Sequence, residues 1–399
     1  MKTLPRDQYI QKIQPYWGKN IIKVLIGQRR CGKSYLMRIL RQTAAELSPA
    51  PNVIYVDKEK LSFDHIRDYK DLYRHISENT VGDRKNIVMV DEIQEIESFE
   101  KAVRDLNEDD RYDVFITGSN ADLLSGSLAT LLAGRYMEIH VGSLSFKEFM
   151  QFHGLDASTG TLKKYLQFGG MPYLIHLPFE EEIIFGYLKN LYESIVLKDV
   201  VARNNLRNYH LLERLLLFLA DNTGSLLTAK TISDYLKSQK MNLSVNTLMN
   251  YLKALENACI VHRVGRYDII GKKRFEVNDK YYFEDIGIRN SIIGFRPQDI
   301  GRILENLVFK HLRMKGYGIF VGKFNHLEID FIAKNANDTI YVQVAYLLPS
   351  KETRDREFGN LLKIRDNHRK IVVSIDEFAG GNQEGVEHLH ILDFLAEFG

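Results

Sequence analysis

The chain has 399 residues, 45% of them hydrophobic and 27% charged, with a formal net charge of +2. That length exceeds the roughly 250–300 residues over which a single hydrophobic core grows, so two or three ordered domains are expected, and the composition excludes a disordered or low-complexity chain. The mild charge does not itself argue for nucleic acid, two cysteines (Cys31 and Cys259) exclude a disulfide framework or zinc cluster, and no run approaches the about 20 apolar residues that span a bilayer.

The opening MKTLPRDQYIQKIQPYWGKN lacks the continuous apolar stretch of a signal peptide, so a cytoplasmic location with no membrane contact is the expectation. From Asn20 to about Val141 short apolar strands alternate with amphipathic helices: IIKVLI, NVIYV, NIVMV, DVFIT and MEIHV are the candidate strands. This is the rhythm of an α/β unit with a parallel sheet covered on both faces. From about Ser145 to Leu217 apolar residues recur every three or four positions, which reads as a helical connector or lid, interrupted by a turn at Phe168–Pro172 (FGGMP).

Between Ser225 and Phe283 two helices, Thr228 to Ser238 and Ser244 to Ala258, precede strand IVHRVGRYDII, turn GKKR and strand KYYF, the order of a winged helix. Ser244 suits an N-cap, and Val245, Leu248, Leu252 and Leu255 suit a core-facing stripe. Past Gly301 a second α/β unit follows: helix ILENLVFKHLRMKG, strands GIFVGKF, LEIDFIA and TIYVQVAYLL, a helix near Asp355 to Arg365, and strand KIVVSID. The expected domains are therefore 1–144, 145–224, 225–298 and 299–399.

Gly27-Gln28-Arg29-Arg30-Cys31-Gly32-Lys33-Ser34 fits G-x-x-x-x-G-K-[ST] and lies between a strand and the helix that begins SYLMRILRQ. Gly27 and Gly32 let the backbone curl so that successive N–H groups face phosphate oxygens. Residues Gly27 through Tyr35 are thus the expected nucleotide contacts, with Lys33 on the β- and γ-phosphates of ATP and Ser34 on Mg²⁺. Cys31 lies inside a loop that works through its backbone, which gives its thiol no required chemistry.

Strand NIVMV delivers Asp91 and Glu92 at its carboxy end, where parallel sheets bind ligands. Asp91 suits the grip on Mg²⁺ and Glu92 the polarisation of attacking water, although an acidic pair there also suits a helix cap. Asn120, after strand DVFIT, is placed to sense the γ-phosphate or position water. Arg135 is either a surface arginine or the extra positive charge that phosphoryl transfer needs, supplied to a neighbouring subunit in a ring, for example a hexamer.

GQRRCGKSYLM, VDEIQ, ITGSNADLLS, LAGRYMEI, LSFKEF, FGGMP, KYYFEDIGIRN, LENLVFKHL, EIDFIA and YVQVAY, in that order, resemble the prokaryotic AAA-type ATPases that carry a C-terminal domain of unknown function. The resemblance spans nearly the whole chain. It implies a P-loop ATPase core with Walker A, Walker B and sensor-like residues, then a winged-helix region, then a fold similar to restriction endonucleases.

In such nucleases a helix glutamate, a strand aspartate and an acidic-x-Lys pair surround one or two Mg²⁺ ions. The corresponding positions here look like Glu305, Asp330 and Gln343-Val344-Ala345, so one carboxylate and the cation are missing. The expectation is a module that binds or assembles without cleaving, with Lys310 or Lys323 as the candidate replacements for the lost lysine. In the winged-helix region, Arg263, Arg266, Lys272, Lys273 and Arg274 offer either a DNA phosphate contact or a solvated basic turn.

Overall fold

The computed structural model describes residues 4–119, 134–204, 206, 208–241, 243–274, 278–376 and 380–397. The chain divides into two compact units, one of Met1–Ser143 with Asn257–Cys259 and the other of Leu144–Glu256 with Ile260–Gly399. No described helix is long and apolar enough to cross a membrane.

The first unit is built on a five-stranded sheet of β1 (Ile22–Ile26), β2 (Asn52–Asp57), β3 (Asn86–Asp91), β4 (Tyr112–Gly118) and β5 (Tyr136–His140), in the order β2-β3-β4-β1-β5. Every pairing is parallel. Strands β1, β3 and β4 are buried along their whole length, as continuous apolar runs in a doubly covered sheet should be. The period of two sorts their side chains between two cores. Ile22, Val24 and Ile26 pack with Leu72, Ile76, Val103 and Leu106 of α3 (Tyr69–Glu78) and α4 (Phe99–Glu108). Leu25 faces Tyr9, Ile13, Leu36 and Leu40 of α1 (Asp7–Ile13) and α2 (Lys33–Ala45). Because all strands run one way, the residues after β1, β3 and β4 emerge at one edge.

The second unit begins with helices α5 (Phe146–His153), α6 (Thr159–Phe168) and α7 (Glu181–Ile195), the last running into a π-helical turn at Val196–Ala202. Ser145 and Glu148 close a capping box on α5. Then come α8 (Tyr209–Asp221), α9 (Ala229–Ser238) and α10 (Val245–Asn257). The Ser244 hydroxyl accepts from the Thr247 N–H (3.1 Å) at the start of α10. Leu248, Leu252 and Leu255 are buried, but Val245, the first residue of the helix, is 51% exposed.

The remaining elements are β6 (Val261–Val264), β7 (Arg266–Asp268), β8 (Lys273–Arg274), β9 (Lys280–Phe283), α11 (Ile286–Ile293), α12 (Ile300–Met314), β10 (Gly318–Phe324), β11 (Leu327–Lys334), β12 (Thr339–Val344), α13 (Lys351–Leu362), β13 (Arg369–Ser374), β14 (Asn382–Gln383), β15 (Val386–His390) and α14 (Ile391–Glu397). The long strand expected over IVHRVGRYDII is broken at Gly265. Its first half, β6, pairs with β9 alone, while β7 and β8 join an eight-stranded sheet in the order β14-β15-β13-β12-β11-β10-β7-β8. The basic turn is thus an extension of the C-terminal sheet, made where β7 pairs in parallel with Val321–Lys323 of β10.

The FGGMP turn is explained by close approach. A Cβ on Gly169 would lie 2.2 Å from Asp285 Oδ1, and one on Gly287 would lie 1.9 Å from the Phe168 carbonyl. The space without those side chains lets the Gly170 N–H donate to Asp285 Oδ2 at 2.9 Å, while Asn290 Nδ2 donates to the Leu166 and Gln167 carbonyls. Two of the quoted motifs, FGGMP and EDIGIRN, are therefore halves of one joint.

Candidate functional site

The loop from Gly27 to Gly32 leaves β1 and enters α2 with its backbone in conformations that only certain residues tolerate. Gly27 has φ +157° and a Cβ there would fall 2.0 Å from the Val141 carbonyl; Gly32, at φ 103°, caps α2 in the left-handed region. Arg30 also adopts a positive φ, 66°, and is exposed. The Cys31 thiol donates to the Val141 carbonyl (2.9 Å) and is buried, so its role is to hold the loop. Gln28 is buried with an unbonded Oε1, and Arg29 pairs with Glu59 at 3.6 Å. The Tyr35 hydroxyl is engaged by both the N–H (2.7 Å) and the carbonyl (3.1 Å) of Leu4.

Lys33 is nearly fully buried. Its ammonium donates to the carbonyls of Gly27 (3.0 Å) and Gln28 (3.2 Å) and stands 3.8 Å from Glu92 Oε1. Asp91, 1% exposed, accepts from the Thr117 hydroxyl on one oxygen and the Tyr55 hydroxyl (3.2 Å) on the other, and is bonded to Ser34. Burial pushes its carboxyl above the usual range, with Thr117 and Ser34 pulling the other way. Glu92 has φ 55°; its N–H donates to Thr117 Oγ1 (3.0 Å) and its Oε2 accepts from Gln94. Ser34, Asp91, Glu92 and Lys33 therefore meet at the edge where β1 and β3 end.

Asn120 lies outside the described residues. Arg135 is at the other end of the sheet. Tyr136 pairs with Ile22 and His140 with Ile26, so roughly 13 Å of extended strand separates Arg135 from Gly27. It is exposed and pairs with Glu108 at 3.7 Å. It cannot serve the loop of its own chain.

Three residues of the site do not stand out from the sequence. Thr117 sits in β4, which lies between β1 and β3 and so can bond both acidic residues; its position at the end of DVFIT is the available signal. Tyr55 reaches Asp91 from β2. Arg6 is 1% exposed and donates to the carbonyls of Cys31 (3.0 Å) and Gly142 (3.1 Å) while stacking on Tyr9. It joins the phosphate loop to the end of β5, a duty that no local pattern around Arg6 announces.

The second unit holds another polar centre. Glu305 and Asp330 do come together, but neither Lys310 nor Lys323 accompanies them in the described ion pairs. Lys310 is turned to the Leu144 carbonyl and the Tyr165 hydroxyl, both at 3.1 Å. The lysine present is Lys280 of β9, with its ammonium 2.8 Å from Glu305, 2.9 Å from Glu328 and 3.3 Å from Asp330. Gln343 Oε1 accepts from the Asp330 N–H (3.3 Å), and Ala345 is buried in an apolar cluster with Leu348 and Phe358.

Residues 19–150 match the family model of an AAA domain, and residues 159–299 match that of a domain of unknown function. With its parallel sheet and phosphate loop, the first unit is an AAA-type P-loop ATPase unit. Over 99% of both chains the protein is 36% identical to an uncharacterized protein of Haemophilus influenzae, and it is 30% identical to an uncharacterized protein of Methanocaldococcus jannaschii over 97% of this chain and 89% of the relative. The chain belongs to the family of AAA-domain proteins that these relatives represent. The solved Walker-type ATPase of Pyrococcus abyssi shares the fold, with a TM-score of 0.51 at 14% identity over 73% of this chain and 96% of that one.

Proposed function

We propose that the first unit binds ATP with Mg²⁺ at Gly27–Tyr35 and hydrolyses it, and that the cycle rearranges the rest of the chain or its neighbours. The observation that carries this is the meeting of Ser34, Asp91, Glu92 and Lys33 at one sheet edge, each held by a defined partner. Asp91 is a buried carboxylate with hydroxyl donors and no ion-pair partner among the described residues. A hydroxyl and a carboxylate already bonded to each other suit a hard cation, so Ser34 and Asp91 are assigned to Mg²⁺, which would neutralise phosphate charge. Lys33 would exchange its contact with Glu92 for phosphate oxygens, leaving Glu92 to take a proton from water. Steady-state turnover of Glu92→Gln tests the assignment: nucleotide binding retained with turnover lost is expected, and normal turnover overturns it.

A second reading, a nucleotide-gated assembly module with slow hydrolysis, is favoured by one contact. Gln94 holds Glu92 Oε2, which keeps that oxygen from water. A homo-oligomeric ring, with Arg135 of one subunit serving the nucleotide of the next, fits the distance of Arg135 from its own loop. For the second unit we propose a winged-helix region over 225–298, whose β7 and β8 extend the C-terminal sheet, and a nuclease-like fold over 299–399 that binds or assembles without cutting, with DNA as a candidate partner through Arg263, Arg266, Lys272, Lys273 and Arg274. Arg263 supports this least, since Asp279 already pairs with it at 2.7 Å.

A further inference from the structure

Strand alternation puts Lys280 and Tyr282 on one face of β9, and Glu328 and Asp330 on one face of β11, while α12 contributes Glu305. The three carboxylates converge on one point, and the Lys280 ammonium stands at it. The ammonium donates hydrogen bonds to Glu305 and Asp330, and Glu328 stands within ion-pair distance of it. Two of these carboxylates have a second donor: the Tyr282 hydroxyl also donates to Glu305 Oε1 (2.5 Å), the oxygen that Lys280 binds, and the Val344 N–H donates to Asp330 Oδ2 (2.9 Å). The loop after α8 closes the cluster at Gly224, where a Cβ would press to 3.2 Å from Glu305 Oε2.

A divalent cation takes oxygen ligands at about 2.0–2.6 Å, closer than the 2.8–3.3 Å at which these carboxylates hold the ammonium, so the oxygens would have to draw inward to hold one in its place. We infer that Lys280 is the resident cation of this centre: it takes the place of a divalent metal, so the carboxylate cluster is a metal-independent ion lock joining β9 to α12 and β11, and it becomes a divalent-cation site once the ammonium is removed. Burial would lower the lysine's pKa, but Glu305, Asp330 and Glu328 outweigh it and raise it, so the charge is permanent. One ammonium does not balance three carboxylates. Burial and the neighbouring Asp330 push Glu305 up to about 7, so near neutral pH a proton on Glu305 relieves part of the remaining negative charge.

The inference stands on the charges themselves and is separate from the non-cleaving reading of the unit. It is tested on the full chain without nucleotide, with Tb³⁺ as the probe, Mn²⁺ as its competitor and Tyr282 as the sensitising ring. The native chain is expected to show the same Tb³⁺ luminescence as Asp330→Asn. Lys280→Met should gain a saturable signal at one equivalent that Mn²⁺ displaces and that Lys280→Met with Asp330→Asn lacks. Native luminescence lost in Asp330→Asn overturns the inference, whatever the fate of the lysine variant. So does a Lys280→Met chain that keeps its native circular dichroism and gains no signal. DNA nicking that disappears in Asp330→Asn would overturn the non-cleaving reading instead.

Discussion

Lys33 of the first unit and Lys280 of the second are both buried beside carboxylates, yet the two are used in opposite ways. Lys33 gives two of its protons to backbone carbonyls, Gly27 and Gln28, and only approaches Glu92, so its charge is not neutralised at close range. Lys280 gives its protons to carboxylates, and its charge is consumed inside the fold. Carbonyls orient an ammonium without cancelling it, whereas carboxylates do both. The first arrangement suits a ligand that brings its own negative charge. The second suits permanence.

The largest effect should come from removing each lysine, with different readouts. Lys33→Ala should lower ATP affinity by about 100-fold or more in calorimetry while leaving the melting temperature near native, because only a charge-assisted contact to ligand is lost. Lys280→Ala should cost about 3–5 kcal/mol in urea unfolding of the unit, since buried Asp330, largely buried Glu305 and the partly exposed Glu328 lose their cation. If the two variants gave the same pattern, the contrast would collapse. Glu92→Gln should lower kcat about 100-fold with binding intact.

Glu305 sharpens the contrast through pH. Its folded pKa, about 7, lies above the unfolded value of 4.5, so its contribution is fully present below about pH 4.5 and is lost as pH rises through 7. Glu305→Gln should flatten the fall in stability between those limits; a native slope retained in the variant would reassign the proton. Smaller still, Gln94→Ala should raise kcat about threefold, the worth of one modest hydrogen bond on Glu92. Arg135→Ala should leave nucleotide affinity unchanged but abolish any rise in specific activity with protein concentration; a loss of affinity in dilute protein would exclude action on a neighbour.

The α/β character and the phosphate loop were legible because their signals are local. Gly27 to Ser34 are consecutive, and the apolar runs of β1, β3 and β4 reflect burial on both faces. Partners from distant strands were not legible. Thr117 reaches Asp91 only because β4 inserts between β1 and β3, and no spacing along the chain encodes strand order. Lys280 was missed because a lysine before two tyrosines reads as a strand edge, though the alternation of Lys280 with Tyr282, and of Glu328 with Asp330, marked two polar faces. The loss of the lysine from the position that Ala345 occupies was visible, but the cation's arrival from another strand was not. The strand through Gly265 read as continuous because apolar alternation persists across it, while its hydrogen bonds change partner.

That change of partner has an outcome at the rim of the eight-stranded sheet. Among the described residues, adding β7 and β8 beyond β10 ends the sheet on a two-residue strand carrying Lys273, and at the far side it ends on another two-residue strand, Asn382–Gln383. Short, polar rims offer a passing chain almost no backbone to pair with, and so guard against strand-by-strand aggregation. The basic turn protects the solubility of the sheet whether or not it ever meets a phosphate.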